Sequence, residues 1–471
     1  MTNKKWQMVI GLEVHAQVST KSKLFSRGST EYGQEPNTCT DYLDLGLPGA
    51  LPVLNQACIR KAVMTGHALH MTLNQKSSFD RKHYFYPDLP LGYQITQFYE
   101  PIAQNGYLPI WVNNEIKNVQ INRIHLETDA GKSIHKNGKT YIDLNRCGVP
   151  LMEIVTEPDM HGPEEAATFL RVLQATLKSI GSCDGNMEKG QLRADLNISL
   201  HKPGEKFGTR VEVKNINSAN FLKKAIMYEY ERQSSILDSG GIIQQETRLF
   251  NEKETIYMRT KEDSEDYRYM PDPDLPPLVL NEEELICKSD VRLPYNVCKE
   301  IARLGIKLEE AWIVAENQTL SDIFFEAGKG LNNEEKLILF KWLIGDVLSF
   351  INKNDGVEID LVHLRNLILL LSQEKISGKV AKDLLIEFIE TKQDPYYIVK
   401  EKGLEQISDI NEITKIVSDI MQNYDKEIAE YKNGKDNLKQ FFIGKILAAT
   451  QGKLNPRLTQ EVLENYLHID K

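Results

Sequence analysis

The sequence predicts an α+β protein in which a mixed α/β N-terminal half precedes an all-α C-terminal half. Residues 1 to about 293 carry most of the glycine and proline, together with alternating strand-like segments and a few helices. After residue 294 the strand signals fade, and stretches such as 335–352 and 380–390 space their apolar residues as helices do. A chain of 471 residues has room for several domains. We therefore divide it into three domains, 1–293, 294–406 and a small all-α tail, 407–471.

The first predicted strand, 9–18, reads VIGLEVHAQV and changes from an unbroken apolar run to strict alternation. Side chains two apart on a strand share a face, so Glu13, His15 and Gln17 point the same way. A carboxylate beside an imidazole offers two metal ligands or an acid and a base. A solvated polar face is the simpler alternative.

A second strand of this kind, 121–129, has the sequence INRIHLETD. Arg123, His125, Glu127 and Asp129 share one face of it, while apolar residues occupy the other. Two histidine and carboxylate faces in one half of the chain indicate a polar cavity.

Two helices are expected between the later strands. The first, 163–180, begins with proline at its first position and two acidic residues in its first turn, and Gly181 follows as its cap. Its apolar stripe consists of Ala166, Phe169, Leu170, Leu173 and Leu177. The second helix, 219–239, stops at Gly240-Gly241.

The hairpin signal Asn137-Gly138 predicts a tight turn between two strands. Two nearby Gly-Lys-Ser/Thr sequences resemble the end of a phosphate-binding P-loop. They lack the glycine required five positions earlier, which is Leu126 in one copy and Ser133 in the other. If the protein handles ATP, it uses another architecture.

Between the halves, 267–278 reads YRYMPDPDLPPL, and its four prolines predict an extended connector. In the tail, Gly452 and Pro456 are expected to break two helices. The same segment supplies positive charge that would suit phosphate, although a solvated helix face explains it nearly as well. The basic residues are Lys435, Lys439, Lys445, Lys453 and Arg457.

Composition excludes several classes of protein. No apolar run approaches the roughly 20 residues that span a bilayer, and a motif within ten residues of Met1 leaves no room for a cleavable leader, so the cytoplasm is expected. The formal charge of −10 argues against broad nonspecific binding to nucleic acid but not against a local basic groove. The six cysteines, never closer than eleven positions, predict buried reduced thiols without a CxxC pair.

Long motifs in order carry a resemblance over essentially the whole chain. They are GLEVHAQ (11–17), FDRKHYFYPDLPLGYQITQ (79–97), RIHLETDAGK (123–132), IDLNRCGVPLMEIVTEPD (142–159), MEKGQLRADLNISL (187–200), VEVKNINS (211–218), DYRYMPDPDLPP (266–277) and YKNGKDNLKQFFIGKILAATQGKLNP (431–456). The chain resembles GatB, one of the subunits of the bacterial aspartyl/glutamyl-tRNA(Asn/Gln) amidotransferase.

This resemblance implies a catalytic cradle domain, a helical domain and a tail domain that contacts tRNA. The family converts misacylated Glu-tRNA(Gln), and often Asp-tRNA(Asn), to the amide form with ATP and glutamine. It works in a heterotrimer with an amidase and a small third subunit. The sequence offers no cysteine with a convincing histidine partner and no serine-rich amidase signature, so ammonia is expected from the partner amidase.

Site residues follow from the same resemblance. Glu13, His15, Glu127 and Glu153 match an acidic Mg²⁺ site, in which His15 is the least typical ligand because Mg²⁺ prefers oxygen. A second group matches the region associated with nucleotide binding, although for each member an ordinary salt-bridged strand face is about equally expected. That group comprises Arg193, Asp195, Glu212, Lys214 and Asn215.

Three departures from the family pattern are visible. Thr128 follows Glu127 where a second acid is usual, and Leu91 replaces a lysine thought to line the ammonia path. Asp41 and Asp44 stand where many members have CxxC, so no zinc is expected there. The retained site residues favour a catalytic role over that of a noncatalytic tRNA-binding scaffold. A stand-alone ligase that uses free ammonia is a third, weaker alternative.

Overall fold

The computed structural model describes residues 5–260, 264–286, 289–354, 358–432, 434–435, 437–450 and 453–468. The chain divides into two compact units, of which the first comprises Met1–Glu300 with Lys307–Trp312 and the second Ile301–Ile306 with Ile313–Lys471. The first unit contains both strands and helices, and the second is helical in its described part. The α+β prediction is therefore confirmed, whereas the division into three domains stays a prediction.

The strands all lie in the first unit, as far as the structure describes the chain. They are β1 Gln7–Gln17, β2 Thr72–Leu73, β3 Lys76–Ser77, β4 Asp80–His83, β5 Tyr93–Thr96, β6 Ala103–Val112, β7 Glu115–Thr128, β8 Lys132–Lys136, β9 Lys139–Asp143, β10 Pro150–Thr156, β11 Leu192–His201, β12 Val211–Ile216, β13 Glu246–Phe250, β14 Thr255–Thr260, β15 Met270–Pro271 and β16 Leu278–Val279. The main sheet has the order β14-β13-β12-β11-β1-β10-β7-β6-β2, and all of its neighbours are antiparallel except β12 and β13.

The central strand β1 follows the predicted alternation. Leu12, Val14 and Ala16 are fully buried on one side, and Glu13 and His15 are half-buried on the other. Because β1 pairs with both β10 and β11, its polar face lies in the middle of the sheet. The predicted strand 121–129 forms the end of β7, two strands away.

Helices of the first unit are α1 Gln56–Ala68, α2 Pro163–Ser179, α3 Ala219–Asp238, α4 Glu282–Leu285 and α5 Pro294–Ala302. The predicted bounds of α2 and α3 are confirmed to within a residue at each end. The apolar stripe of α2 is buried, and the helix packs on α3 and on β6. Gly181 and Gly240 follow the two helices with φ of 66° and 78°, a conformation that suits glycine and ends a helix. The predicted turn Asn137-Gly138, with φ of 54° and 70°, joins β8 to β9.

The proline-rich segment 267–278 is extended only in part, since Tyr267 ends a 3-10 helix and a turn follows Asp272, and the interpretation as a linker is wrong. Met270 and Pro271 pair with β4, and Leu278 pairs with β3. Asp272 is buried and accepts hydrogen bonds from Arg81 Nε at 3.0 Å and Nη2 at 3.4 Å. The four prolines prevent a helix, and these contacts attach the extended chain to the first unit.

The remaining helices are α6 Leu308–Ala315, α7 Gln318–Ala327, α8 Asn333–Trp342, α9 Leu348–Lys353, α10 Leu361–Ser372, α11 Gly378–Thr391, α12 Pro395–Lys402, α13 Ile410–Met421, α14 Asp425–Lys432, α15 Leu438–Ala449 and α16 Pro456–His468. The predicted helix 335–352 is confirmed as α8 and α9 joined by a π-helical turn, Leu343–Val347. Tail residues such as Val417, Phe442 and Leu463 form a hydrophobic core of their own.

Other expectations concern cysteines and membranes. Cys39, Cys58, Cys147, Cys183 and Cys298 are buried free thiols as predicted, whereas Cys287 lies outside the described residues. Gly452, predicted to break a helix, also lies outside them. Wherever the chain is described, its helices are too short or too polar to cross a membrane.

Candidate active site

A cavity of about 730 Å³ opens on the polar face of the main sheet in the first unit. Its centre lies over β1, β10 and β7, where the predicted polar faces meet. The lining comprises Glu13, His15, Lys82, Tyr84, Tyr86, Thr96, Phe98, Arg123, His125, Glu127, Glu153, Val155, Asp195, Arg210, Glu212, Lys214, Gln245, Thr247, Arg259, Tyr267 and Tyr269. All four residues of the expected acidic site therefore line one cavity.

Three residues of this cavity bring possible metal-ligand atoms together: His15, Glu127 and Glu153. Strand pairing brings them together, since β1 places His15 opposite Glu153 and β10 places Glu153 opposite His125. His15 Nδ1 lies 3.3 Å from Glu127 Oε1 and 3.9 Å from Glu153 Oε2. One donor atom from each of the three residues lies within 4.8 Å of the others. This spacing suits a single metal ion.

His125 is the fourth member of this central cluster, which we define as His15, His125, Glu127 and Glu153. Its Nε2 lies 3.1 Å from Glu153 Oε2 and 3.8 Å from Glu127 Oε2. The sequence placed His125 on the polar face but did not include it in the ligand set. The identical alternation of both strands was the signal that could have found it.

The cluster is electrostatically coupled. Burial opposes protonation of both imidazoles, yet Glu153 and Glu127 outweigh it and raise the pKa of His15 and of His125 to about 9. Burial likewise opposes ionisation of Glu153, but His125 and His15 lower its pKa to about 2. The same balance, with hydrogen bonds from both histidines, holds the pKa of Glu127 well below its usual range. At neutral pH both carboxylates are therefore ionised and each is paired with protonated imidazoles, which a bound cation would have to displace or share.

Glu13 lines the cavity but lies apart from the close donor group. Its Oε1 accepts a hydrogen bond from Asn197 Nδ2 at 2.9 Å, and β1 pairs it with Asp195 of β11. The amide fixes the orientation of this carboxylate beside the cluster.

Of the five residues expected near a nucleotide, Asp195, Glu212 and Lys214 line the cavity. Lys214 Nζ lies 2.5 Å from Asp195 Oδ2 and 3.3 Å from Glu212 Oε1. Burial disfavours the ammonium, but Asp195 and Glu212 outweigh this effect and raise the pKa of Lys214 above its usual value. Lys214 is therefore a fixed positive charge beside the cluster.

Arg193 and Asn215 are not part of the cavity lining. Arg193 Nη2 donates to Asp129 Oδ2 at 3.0 Å, so this guanidinium is attached to the residue that follows β7. Asn215 has a φ of 72°, and its amide donates to the Phe250 carbonyl at 2.9 Å. Asp129, and to a smaller extent Asp195 and Glu127, nevertheless raise the pKa of Arg193, so this guanidinium lies near the cluster without lining the cavity.

Sequence reasoning missed several lining residues. Three cations that line the cavity, Lys82, Arg210 and Arg259, were not identified, whereas Arg123, a fourth, was placed on a polar face by strand alternation. Aromatic side chains from two segments distant in sequence also contribute: Tyr84, Phe98, Tyr267 and Tyr269. Repeated tyrosines in KHYFY and YRY were a visible signal, but only strand pairing of β15 with β4 shows that the two segments meet.

The structure shows the surroundings of the residues that depart from the family pattern, which are Thr128, Leu91, Asp41 and Asp44. Thr128, the next residue of β7, faces away from Glu127, and its hydroxyl accepts a hydrogen bond from the Ile95 amide at 3.2 Å. Leu91 and Thr128 both line a small void of about 20 Å³. Asp44 accepts from the ammonium of Lys23 at 2.9 Å, and both side chains are almost completely buried. Asp41 accepts a hydrogen bond from the Arg27 amide.

The basic tail residues are mostly paired with neighbouring acids. Lys435 contacts Glu430 at 2.9 Å, Lys439 contacts Glu464 at 2.5 Å and Arg457 contacts Glu461 at 3.6 Å. Lys445 lies over the ring of Phe441 at 5.3 Å. Lys453 is exposed. These pairs are what a solvated helix face would also show.

A mixed sheet with a charged cavity over its centre, lined by carboxylates, imidazoles and cations, has the groups that an enzyme active site requires. The family model of the GatB/GatE catalytic domain matches residues 8–286, and that of the GatB domain matches residues 322–467. The chain belongs to the GatB family, whose members are subunits of an amidotransferase.

Similar full-length proteins are named as the GatB subunit of aspartyl/glutamyl-tRNA(Asn/Gln) amidotransferase. The protein from Rickettsia canadensis (strain McKiel) is 45% identical over 98% of both chains. That from Orientia tsutsugamushi (strain Ikeda) is 43% identical over 98% of this chain and 97% of its own. That from Persephonella marina (strain DSM 14350 / EX-H1) is 44% identical over 98% of this chain and 100% of its own.

Proposed function

We propose that this chain activates and amidates an amino acid misacylated on tRNA. ATP phosphorylates the side-chain carboxylate of Glu-tRNA(Gln), Asp-tRNA(Asn) or both, and ammonia then displaces the phosphate to give the amide. The observation that carries this proposal is the central cluster, placed among five cationic side chains in the family's catalytic domain. The reaction takes place in the cytoplasm within a heterotrimer.

The chemistry requires a site that tolerates concentrated negative charge. A carboxylate is a poor electrophile, so its oxygen first attacks the γ-phosphorus and the bond from that phosphorus to ADP breaks. Ammonia then attacks the carbonyl carbon of the acyl phosphate, phosphate leaves, and the nitrogen loses a proton. Fixed positive charges such as Lys214 and Arg123 stabilise the phosphoryl oxygens in the first step. His15 is placed to hold a proton near the reacting atoms.

A divalent cation fits the donor set of the cluster. Glu127 and Glu153 supply ionised oxygens, which Mg²⁺ prefers, and Glu13 supplies a third carboxylate nearby. His15 would contact the cation through water, since imidazole is a poor Mg²⁺ ligand and its pKa of about 9 keeps it protonated at neutral pH. When bound, Mg²⁺ would neutralise charge that develops on the phosphates.

Ammonia comes from partners in this proposal. Burial raises the pKa of the Cys58, Cys147 and Cys183 thiols to about 12, so these cysteines do not form nucleophilic thiolates at neutral pH. Glutamine hydrolysis is therefore assigned to the partner amidase, and the small third subunit completes the complex. The tail is assigned to tRNA binding. Lys445 and Lys453 would contact phosphates directly, and Lys435, Lys439 and Arg457 would do so after leaving their acidic partners.

The test uses the complete complex with misacylated tRNA. We expect ADP formation that depends on Glu-tRNA(Gln) or Asp-tRNA(Asn) and on Mg²⁺, followed by amide formation when glutamine or ammonia is added. A noncatalytic scaffold is the competing function. It would bind the tRNA but leave ATP unchanged in the same assay, and that outcome would overturn the proposal.

A further inference from the structure

The two ends of the cavity have different chemistry, because one is built by strands of the main sheet and the other by segments around the small sheet β15-β4-β5. On one side of the cluster, β11 to β14 present charged and polar side chains, which form the charged wall: Asp195, Glu212, Lys214, Thr247 and Arg259. On the other side, beyond β7, rings from the segments around β4, β5 and the proline-rich chain form the aromatic wall: Tyr84, Phe98, Tyr267 and Tyr269. The central cluster lies between the two walls.

The aromatic wall is an ordered set of rings. Phe98 and Tyr269 are stacked, with centroids 3.9 Å apart and planes inclined by 10°. Tyr267 meets Tyr269 at 6.1 Å and Tyr84 at 6.3 Å, both edge to face. All four rings are partly exposed and line the cavity. Such a surface offers flat apolar faces to a planar ligand.

Cations accompany these rings. Lys82 Nζ lies 4.6 Å above the ring centroid of Tyr267, and the guanidinium of Arg123 lies 6.0 Å from that of Phe98. Aromatic platforms combined with positive charge are how proteins hold an unpaired nucleotide, because the rings stack on the base and the cations attract its phosphate. The aromatic wall therefore suits a single-stranded nucleic-acid end.

The wall is firmly attached to the first unit. Pairing of β15 with β4 and the contact of Arg81 with Asp272 hold the chain directly after Tyr269. Tyr99 Oη also donates to the Tyr269 carbonyl at 3.4 Å. These contacts fix the backbone that carries Tyr269, so the aromatic wall has a defined position in the cavity.

Phosphoryl transfer requires that the nucleotide and the acceptor occupy opposite walls. The attacking and leaving oxygens lie roughly in line on opposite sides of the transferred phosphorus. If ADP leaves toward the charged wall, where Lys214 and Arg259 can hold its phosphates, the acceptor carboxylate must approach from the opposite side. That side is the aromatic wall.

We propose that the aromatic wall is the subsite for the 3′-terminal nucleotide of the aminoacyl-tRNA, whose unpaired base stacks on an outer face of the stacked pair Phe98 and Tyr269. This inference rests on the proposed function and assigns one substrate to each wall of the cavity. The linked amino acid then extends toward the central cluster, and the nucleotide triphosphate lies against the charged wall.

The experiment places 2-aminopurine, whose fluorescence falls on stacking, at the 3′ terminus of the tRNA in place of adenine. On binding to the wild-type heterotrimer without ATP, we expect quenching. Phe98→Leu and Tyr269→Leu should each lose this quenching and weaken binding of the aminoacyl-tRNA roughly 5- to 150-fold, the range for loss of one base stack. ATP affinity, measured by calorimetry, should stay near the wild-type value. Tyr141→Leu, which removes an exposed ring away from the cavity, is the matched control.

Two outcomes would overturn the assignment. The first is an unquenched terminal base on the saturated wild-type complex, a measurement that depends on no variant. The second is a loss of ATP affinity in the Leu variants with tRNA binding intact, which would make the aromatic wall the adenine subsite of ATP. Because terminal-base stacking is measured without ATP turnover, a complex that stacks the base but never phosphorylates the tRNA would refute the proposed function and retain this subsite.

Discussion

Glu153 is the carboxylate at the centre of the central cluster, because both histidines contact it. Its Oε2 lies 3.1 Å from His125 and 3.9 Å from His15. Glu153→Gln removes one negative charge with little change in volume. We expect tRNA-dependent ADP formation by the heterotrimer to fall at least about 100-fold, comparable to the loss of one key electrostatic contact.

A matched control for this prediction lies four residues further along the chain. Glu157 is a carboxylate paired with Asn122 and does not line the cavity. Glu157→Gln should keep near wild-type turnover, and both variants should bind tRNA as the wild type does. Full activity of Glu153→Gln would show that this carboxylate is dispensable.

Glu127 allows a direct test of metal binding without turnover. A ligand that binds only the folded state stabilises it, by about 2.7 kcal/mol when its concentration is 100 times its dissociation constant. We expect millimolar Mg²⁺ to raise the midpoint of thermal unfolding of the wild-type protein. Glu127→Gln should lose most of this shift. An equal shift in both proteins would place the cation elsewhere.

At the scale of elements, the contact that attaches the proline-rich segment to β4 is a stability determinant. The Asp272 side chain is fully buried and depends on Arg81, whereas Asp274 is about one third exposed. Arg81→Ala would leave a buried carboxylate without its partner, at a cost of roughly 3–5 kcal/mol. Asp274→Asn should cost less than about 1 kcal/mol. Urea unfolding compares the two variants, and equal effects would contradict this account.

Elements with a local signal were predictable from the sequence. Alternation identified the polar faces of β1 and β7, and terminal signals located α2 and the hairpin turn. The proline-rich segment was misinterpreted because its extended backbone looks the same whether free or paired. Its position depends on Asp272, a single buried carboxylate whose partner Arg81 lies 191 residues away.

In the candidate site, too, local features were predictable from the sequence and long-range contacts were not. The polar faces of single strands were readable, and register then aligned Glu153 with His15 and His125. The aromatic wall was not predicted, since it combines two segments that only tertiary pairing joins. Arg193 and Asn215 matched a family motif, but their hydrogen bonds to Asp129 and to the Phe250 carbonyl place them outside the cavity lining.

At the scale of the whole molecule, salt dependence tests the assignment of tRNA to the tail. Lys445 lies over an aromatic ring and Lys453 is exposed, so neither has to leave an acid of the described tail before it meets a phosphate. Each lost phosphate contact should lower the slope of log affinity against log salt by roughly 0.7 to 0.9. We expect Lys445→Glu with Lys453→Glu to weaken tRNA binding and flatten this slope.

The control for this pair is Lys253→Glu, a charge reversal at an exposed turn of the first unit. It should leave affinity and slope near the wild-type values. Titrations of labelled tRNA at several salt concentrations provide the comparison. Unchanged binding in the tail variant would mean that these two lysines lie on a solvated surface and do not contact tRNA.

The composition of the cavity lining has a consequence for how substrates arrive. Five carboxylates and five lysine or arginine side chains share this lining. His15 and His125 belong to the same lining, and with pKa values of about 9 they add two positive charges at neutral pH. The lining therefore carries a small excess of positive charge in a protein whose net charge is −10. Charges farther away than a Debye length, about 8 Å in physiological salt, act weakly on a ligand at the cavity, so this local excess attracts ATP although the whole molecule is acidic. The association rate of ATP should accordingly fall as the salt concentration rises.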